Sequence, residues 1–423
     1  MTRRNLRIPE TKTVMLNRIR AGLRIHEMTL AITLVLGCSG YRPAVAAAPS
    51  SEDQPEALGK IKDLAPDLAR KLVSRHTGKP LSLSGLTRLT PDVAAILAAH
   101  DNALSLNGLS ALTAEVARGL ASHDHELVLH GVSRLDDATA DALSKCRGTL
   151  SLEGLAALES LPLAQKLASQ QEDVQLNRIT TLSRPVADAL GGCRKRLDME
   201  GLTRLDSPTL AKKLATRTDA PLMLIRLQDL TPEAATGFQG TTCTICLMSL
   251  TTIDDAVAQS LGARNGGVDL DGVQAISDAA AESLAKSTGP LDLGGVRELT
   301  PEAAVALGKH RGALCLGGLS HVSVGIAQGL KSHEGHLQLS GMRELPPEVA
   351  KALVGCSGLI YLDGVHTLSD EAALILATHR GGSDTGFILM PQAIRSLSAA
   401  ADASLRRNRL VHFGNRLGGP SVN

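Results

Sequence analysis

The chain repeats itself about every 23 residues from Leu81 almost to its C-terminus, and a chain with that period stacks small units instead of wrapping them round one core. The phrase is clearest as Leu81-x-Leu83-x-Gly85-Leu86-x-x-Leu89, followed by a short helical stretch. Aligned on the first Leu, successive copies start at Leu81, Leu104, Leu127, Leu150, Val174, Leu197, Leu222, Ile245, Val268, Leu291, Leu314, Leu337 and Ile360. All steps are 23 residues except the 24 from Leu150 to Val174 and the 25 from Leu197 to Leu222. Fainter copies flank the array, with Leu58, Ile61 and Leu64 before it and Ile388-x-Met390 and Val411-x-Phe413 after it.

One unit reads as one coil. The alternation Leu81-x-Leu83 is the period-2 pattern of a short strand buried on one face. Gly85 is expected to let the backbone turn, and Leu86 and Leu89 to point back inward. Thr90-Pro91-Asp92 follows, and it returns as Thr231-Pro232-Glu233 and Thr300-Pro301-Glu302, with Asp136-Asp137 and Pro346-Pro347-Glu348 as variants. Thr or Asp can cap free helical N–H groups, Pro suits the first helical position, and a carboxylate suits the positive end of the helix. A helix of about two turns should begin there, with Ala94 and Leu97, Ala140 and Leu143, or Ala304 and Leu307 facing inward. No unit can bury its Leu ladder alone, whereas stacked units bury a continuous core.

These residues resemble the leucine-rich repeat superfamily. The Ala-x-x-Leu-x-x-Cys/His ending is similar to repeats of some bacterial surface proteins, and the Leu-x-Leu-x-Gly-Leu phrase resembles tandem arrays in exported planctomycete proteins. The resemblance covers about 360 of the 423 residues and implies a binding scaffold without catalytic residues. The expected fold is α/β, a right-handed solenoid of about 15 leucine-rich-repeat-like units of about 23 residues. The typical repeat carries an Asn after the strand, where Leu86, Leu109 and Leu155 stand here, so the turn amides and carbonyls need other partners.

The segment before the repeat has a different character. Arg18, Arg20 and Arg24 precede an apolar run from Met28 to Leu36, which reads as a secretory signal and is short for a membrane span. Val35-Leu36-Gly37-Cys38 resembles a bacterial lipobox, which would make Cys38 a lipidation site. Ala44-Val45-Ala46-Ala47-Ala48 offers ordinary signal peptidase an alternative exit, and a start at Met15 would give a more usual basic leader. The expected organisation is a signal segment over 1–37, a linker over 38–55, the solenoid over 56–416 and a tail over 417–423. The whole chain has net charge +1, and residues 1–37 hold seven basic and two acidic groups, so the remainder stands at −4. With that charge, three Phe, two Tyr and no Trp, neither a nucleic-acid surface nor an aromatic sugar platform is expected.

Counting Leu81 as position 1, positions 2 and 4 of each strand project away from the core. They are mostly small and polar, from Ser82 and Ser84 to Tyr361 and Asp363, as on any solvated sheet face. Two stretches depart from that. Met223, Ile225, Cys246 and Met248 make an apolar patch suited to a partner, unless a loop of these irregular units covers it. Asp269, Asp271 and Asp292 make an acidic patch that would suit a partner or calcium, the alternative being plain solvated charge.

Position 20, near the helix C-terminus, carries His100, His123 and Cys146 in one run and His310, His333, Cys356 and His379 in another, with Cys193 alone. Stacking would bring these side chains near one another, and His with Cys is the usual zinc ligand set. Helix-dipole and packing roles copied by duplication explain the same column without a metal. Cys243-x-x-Cys246 lacks the surroundings of a redox motif, and no nucleophile elbow, phosphate loop or His-Glu-x-x-His is present. The sequence therefore leads to a non-catalytic, exported repeat scaffold of the bacterial envelope or exterior, holding a protein partner or envelope component and requiring no cofactor. Two alternatives remain, an envelope metal-binding protein using position 20 and an enzyme seated in the irregular units 222–268.

Overall fold

The computed structural model describes residues 61–380, 386–389, 393 and 395–413. The signal segment, the linker with Cys38, the tail, Leu58 and Met390 lie outside the described residues. The chain forms two compact units, one made of residues 61–250 with Ala263–Gly266 and the other of Thr251–Gly262 with the residues from Gly267 on. Each is an α/β solenoid of strand–helix coils.

The strands are two residues long in most coils and pair parallel one repeat apart. Leu81 lies opposite Leu104, which lies opposite Leu127, which lies opposite Leu150. In the second unit the same step carries Val268 to Leu291, Leu314, Leu337, Ile360, Phe387 and Val411. Phe387 and Leu389 are therefore the inward residues of their coil, both 0% exposed, and Ile388 is not. The pattern Ile388-x-Met390 predicts a register one residue later, and the observed pairing swaps the faces of the strand.

Packing follows the repeat. Leu81, Leu83, Leu86, Ala94 and Leu97 are at most 1% exposed, and Ala304 and Leu307 repeat the pattern at 0%. The helix begins where the cap residues stand: Pro91–Ala98 is capped by the Thr90 hydroxyl on Val93 N–H, and Asp137–Ser144 by the Asp136 carboxylate on Thr139 N–H at 2.7 Å. Small alanines on the inner face let each helix lie close to the strands, at the modest cost of less apolar area per coil.

Leu89 is only half-buried, contrary to expectation. The equivalent Leu205 and Leu230, and Leu345 and Leu368, are buried, and there a second short ladder forms, pairing Arg204–Leu205 with Asp229–Leu230 and Glu344–Leu345 with Thr367–Leu368. The missing Asn is replaced by backbone bonds at position 7. Thr203 N–H reaches Thr180 C=O at 2.8 Å and His366 N–H reaches Arg343 C=O at 2.9 Å, each one coil back.

Glycine at position 5 answers to contact with the preceding coil and not to backbone twist. Its φ is not positive at any of these sites, since the only positive-φ glycines among the described residues are Gly78, Gly240 and Gly386. A Cβ at Gly108 would stand 2.4 Å from Ser84 O and 2.5 Å from Leu86 O, so a side chain there would drive the coils apart.

The two long steps have a visible cause. At the 24-residue step the Gln170 side chain takes Leu150 N–H at 2.7 Å and Leu150 C=O at 3.2 Å, filling the backbone positions that the next strand takes elsewhere. At the 25-residue step Arg217 bonds the Asp198 carboxylate and Pro221 C=O, the latter at 3.2 Å. One long polar side chain thus bridges each interruption of the ladder.

Candidate functional site

The His and Cys residues of position 20 are all buried. His100, His123, Cys146, Cys193, His310, His333, Cys356 and His379 are all at most 6% exposed. Most reach a main-chain carbonyl near the end of the preceding helix: His123 to Ala98 O at 3.2 Å, His310 to Ala285 O at 3.4 Å, His379 to Val354 O at 2.8 Å, Cys146 to Leu120 O at 3.8 Å and Cys356 to Leu330 O at 3.7 Å. The last carbonyls of a helix have no partner within it, so these five side chains each cap the helix of the preceding coil. His100 and His333 bond Lys79 O at 2.9 Å and His336 O at 3.3 Å instead. Asn408 continues the theme, giving its amide to Leu376, Ala377 and His379 carbonyls at 3.0 to 3.3 Å.

Burial sets the chemistry of the column. It lowers His100 and His310, lowers His333 to about 4, and pushes the Cys146 and Cys193 thiols up to about 11 and Cys356 up to about 12. Burial thus disfavours the charged forms of His100, His310, His333, Cys146, Cys193 and Cys356. Among the described residues no three His, Cys, Asp or Glu side chains are grouped to hold a metal ion. The His310 and His333 rings lie 6.2 Å apart and within 10° of parallel, and most side chains of position 20 cap a neighbouring helix.

The strand face is uneven. Ser82 and Ser84 are exposed, and Ser105, Asn107, His130, Ser151 and Glu153 are half-buried. Asn107 is drawn into the stack, its carbonyl taking His130 N–H at 3.0 Å. His130 Nε2 meets Ser151 Oγ at 2.8 Å, and its Nδ1 lies 3.6 Å from Glu153. That order of groups suits a hydrolase triad, and residue spacing alone did not reveal it. It lies on an open strand face, the Glu153 distance exceeds a hydrogen bond, and Glu153 is 42% exposed, so the arrangement lacks the enclosed, preorganised site that acyl transfer needs. A depression of about 380 Å³ lies elsewhere, lined by Arg70, Val73, Ser74, Thr77, Ile96, Ala99 and Asp101.

In the apolar patch, Cys246 lies opposite Met223. Met223, Ile225 and Met248 are half-buried, and Cys246 is 5% exposed. The patch thus keeps part of its surface open. Cys243 and Cys246 are buried and outside any disulfide, and buried Arg264 bonds Cys243 C=O and Thr241 Oγ while its guanidinium lies 6.0 Å from the Phe238 ring.

In the second unit the outward column at position 2 runs Asp269, Asp292, Cys315, Gln338 and Tyr361, each opposite the next. Asp271 N–H bonds Asp269 Oδ1 at 3.1 Å and Gly294 N–H bonds Asp292 Oδ1 at 2.9 Å. Burial, then the neighbouring Asp269 and Asp271 charges, raise Asp292 to about 7, and burial raises Asp271 and Asp363. Cys315 is pushed well above its usual range by burial and by Asp292. Cys315, Gln338 and Tyr361 are 5 to 6% exposed although they project away from the core.

Similar architecture occurs among solved structures. An internalin of Listeria monocytogenes aligns with 84% of this chain and 90% of its own at 14% identity and a TM-score of 0.36. A leucine-rich-repeat protein of Leptospira interrogans aligns with 84% of this chain and 99% of its own, at 15% identity and 0.38. The yeast Rad7 and Elc1 complex contributes a chain aligned over 93% of this one and 95% of itself, at 13% identity and 0.31. No protein-family model and no curated protein matches the sequence.

The site residues expected from sequence thus separate into three groups. Position 20 belongs to the stack, the apolar patch keeps partial exposure, and the three aspartates join a larger polar surface. Gln338, Tyr361 and Ser340 were not picked out from the sequence. A signal was present, because Gly294 and Gly317 are the two glycines at position 4 across the thirteen aligned strands, where every other copy carries a side chain.

Proposed function

We propose that the protein is a non-catalytic, exported repeat scaffold of the bacterial envelope or exterior that holds a protein partner against its strand face. The observation that carries this reading is the register of the second unit. Asp269, Asp292, Cys315, Gln338 and Tyr361 stand in one row, set at the inter-strand spacing of about 4.8 Å, so an extended chain can meet one side chain after another. The apolar patch of Met223, Ile225, Cys246 and Met248 offers a second, adaptable contact on the strand face of the first unit. Among the described residues no helix is long and apolar enough to cross a membrane, and the export reading rests on residues 18–48, with Cys38 as the lipidation site.

Site-specific photocrosslinking in cells tests the reading. A photoreactive residue at Ser340 or Met223 should capture one defined protein, and one at Val305, which is 49% exposed on a helix, should not. Capture from Val305 alone would put the partner on the helix face and end the proposal. A fluorophosphonate probe that labels Ser151 would overturn the non-catalytic part. Full-length chain retained in the cytoplasm with residues 1–37 intact would overturn export.

A further inference from the structure

Asn107, His130 and Glu153 occupy position 4 of three successive coils, and Ser151 occupies position 2 of the third. The ladder from Leu104 through Leu127 to Leu150 sets these coils at the inter-strand spacing of about 4.8 Å, so the side chains stand in neighbouring places on the strand face. Asn107 Oδ1 takes the His130 backbone N–H at 3.0 Å and is thereby engaged. The His130 ring lies between the other two, with Nε2 at 2.8 Å from Ser151 Oγ and Nδ1 at 3.6 Å from Glu153 Oε2.

The two sides of the ring differ in kind. The Ser151 contact is a hydrogen bond, and the Glu153 contact is too long for one. In the neutral tautomer that donates Nε2–H to Ser151 Oγ, Nδ1 turns its lone pair toward the carboxylate. Two electron-pair donors then face each other across 3.6 Å, which a cation held by both would stabilise. Zinc bonds of about 2.1 Å to each donor span that distance at an angle of roughly 120°, close to tetrahedral. Calcium and magnesium take oxygen donors, whereas imidazole suits zinc and copper. A hydrogen bond from the second ring nitrogen is the usual support of a metal-bound histidine, and Ser151 supplies it.

Exposure and charge favour the same ion. The His130 and Glu153 side chains are 33% and 42% exposed, so a hydrated ion reaches both. The spare ring nitrogens of His123 and His310 at position 20 are enclosed instead. Among the described residues His130 is the one ion-pair partner of Glu153, and no Lys or Arg competes for that carboxylate.

We propose that His130 Nδ1 and Glu153 Oε2 bind one divalent ion of the zinc class on the strand face of the first unit, with Ser151 as the positioning residue that holds the imidazole in the required tautomer. Two protein donors leave the other positions of the ion to water. The inference goes beyond the scaffold reading and does not rest on it.

Isothermal titration of zinc chloride into the purified, untagged full chain tests the site. One ion should bind per chain, and both His130→Gln and Glu153→Gln should weaken that binding at least tenfold. Ser151→Ala should weaken it about tenfold, and Ser151→Thr, which keeps the hydroxyl, should restore it. His125→Gln, at an exposed histidine off this face, should change it less than twofold. Calcium chloride in excess should not displace the zinc. Melting curves without metal show that each variant is folded. No zinc binding, an equal loss in His125→Gln, or unchanged affinity in His130→Gln or Glu153→Gln would each overturn the proposal. Unchanged affinity in Ser151→Ala would remove the positioning role.

Discussion

Two columns of polar residues run along this protein, and both are largely buried. At position 20 the side chains reach main-chain carbonyls of the neighbouring coil, as His123 does to Ala98 and His379 to Val354. On the strand face of the second unit, Gln338 and Tyr361 keep polar atoms that nothing in the described residues engages. The histidines also retain one ring nitrogen without a partner, but in a neutral imidazole whose donor is bonded that atom is a lone pair. The comparison teaches that buried polarity in a repeat protein differs in its consequence. Where it ties one coil to the next it stabilises the stack, and where it is left unpaired, as at Gln338 Oε1 and Tyr361 Oη, it costs stability.

The largest expected effect tests the stack at its weakest register. Asp198→Ala would leave the Arg217 guanidinium, whose side chain is 5% exposed, without its carboxylate, and should lower stability by about 3 to 5 kcal/mol in urea unfolding. A loss under 1 kcal/mol would show that the bridge across the 25-residue step is not what holds it.

Acid should act on the first column next. His100, His310 and His333 are held below their ordinary pKa by burial, so the folded state binds fewer protons than the unfolded chain below about pH 6.5. The stability they contribute is whole above that pH and is lost as pH falls toward about 4, where His333 titrates. That one residue accounts for a change on the order of 3 kcal/mol. Urea midpoints that stay flat between pH 7 and 5 would contradict it.

Asp292 has the opposite sign. Its pKa is raised to about 7, so ionising it costs the folded state, and the cost grows as pH rises from its unfolded value through 7. Asp292→Asn should therefore raise the melting temperature at pH 8 and change it little at pH 4. A drop at pH 8 would mean that the carboxylate is part of the stack after all.

Much of the fold was legible because its signals are local. Thr90-Pro91-Asp92 starts the helix where it stands, and the alternation at Leu81 and Leu83 sets the buried face. What was hidden depends on residues one coil apart. Gly108 looks like a turn residue until the carbonyls of Ser84 and Leu86 are seen against it, and Leu89 looks like core until its half-exposure is compared with the buried Leu205. The slip at Ile388 arose because Phe387, Ile388 and Leu389 are all apolar, which leaves the strand pattern ambiguous. The site was harder still. His and Cys at position 20 have metal chemistry in their side chains, and only the distances to Ala98, Leu120 and Val354 carbonyls show that they face the backbone. Gln338 and Tyr361 carry no motif, and what distinguishes them is a partner they lack.

Equilibrium urea unfolding of His123→Leu beside Gln338→Leu tests the distinction between the two columns most directly. Leucine is close in size to both residues, so each variant reports mainly on the polar group it removes. His123→Leu should lose about 1 to 3 kcal/mol, because Ala98 C=O is left buried without its donor. Gln338→Leu should change stability by less than about 0.5 kcal/mol or raise it, since the buried, unpaired Oε1 is removed and only the Nε2 bond to Ser340 Oγ is lost. The reverse order, with His123→Leu neutral and Gln338→Leu destabilised by 1 kcal/mol or more, would contradict the account.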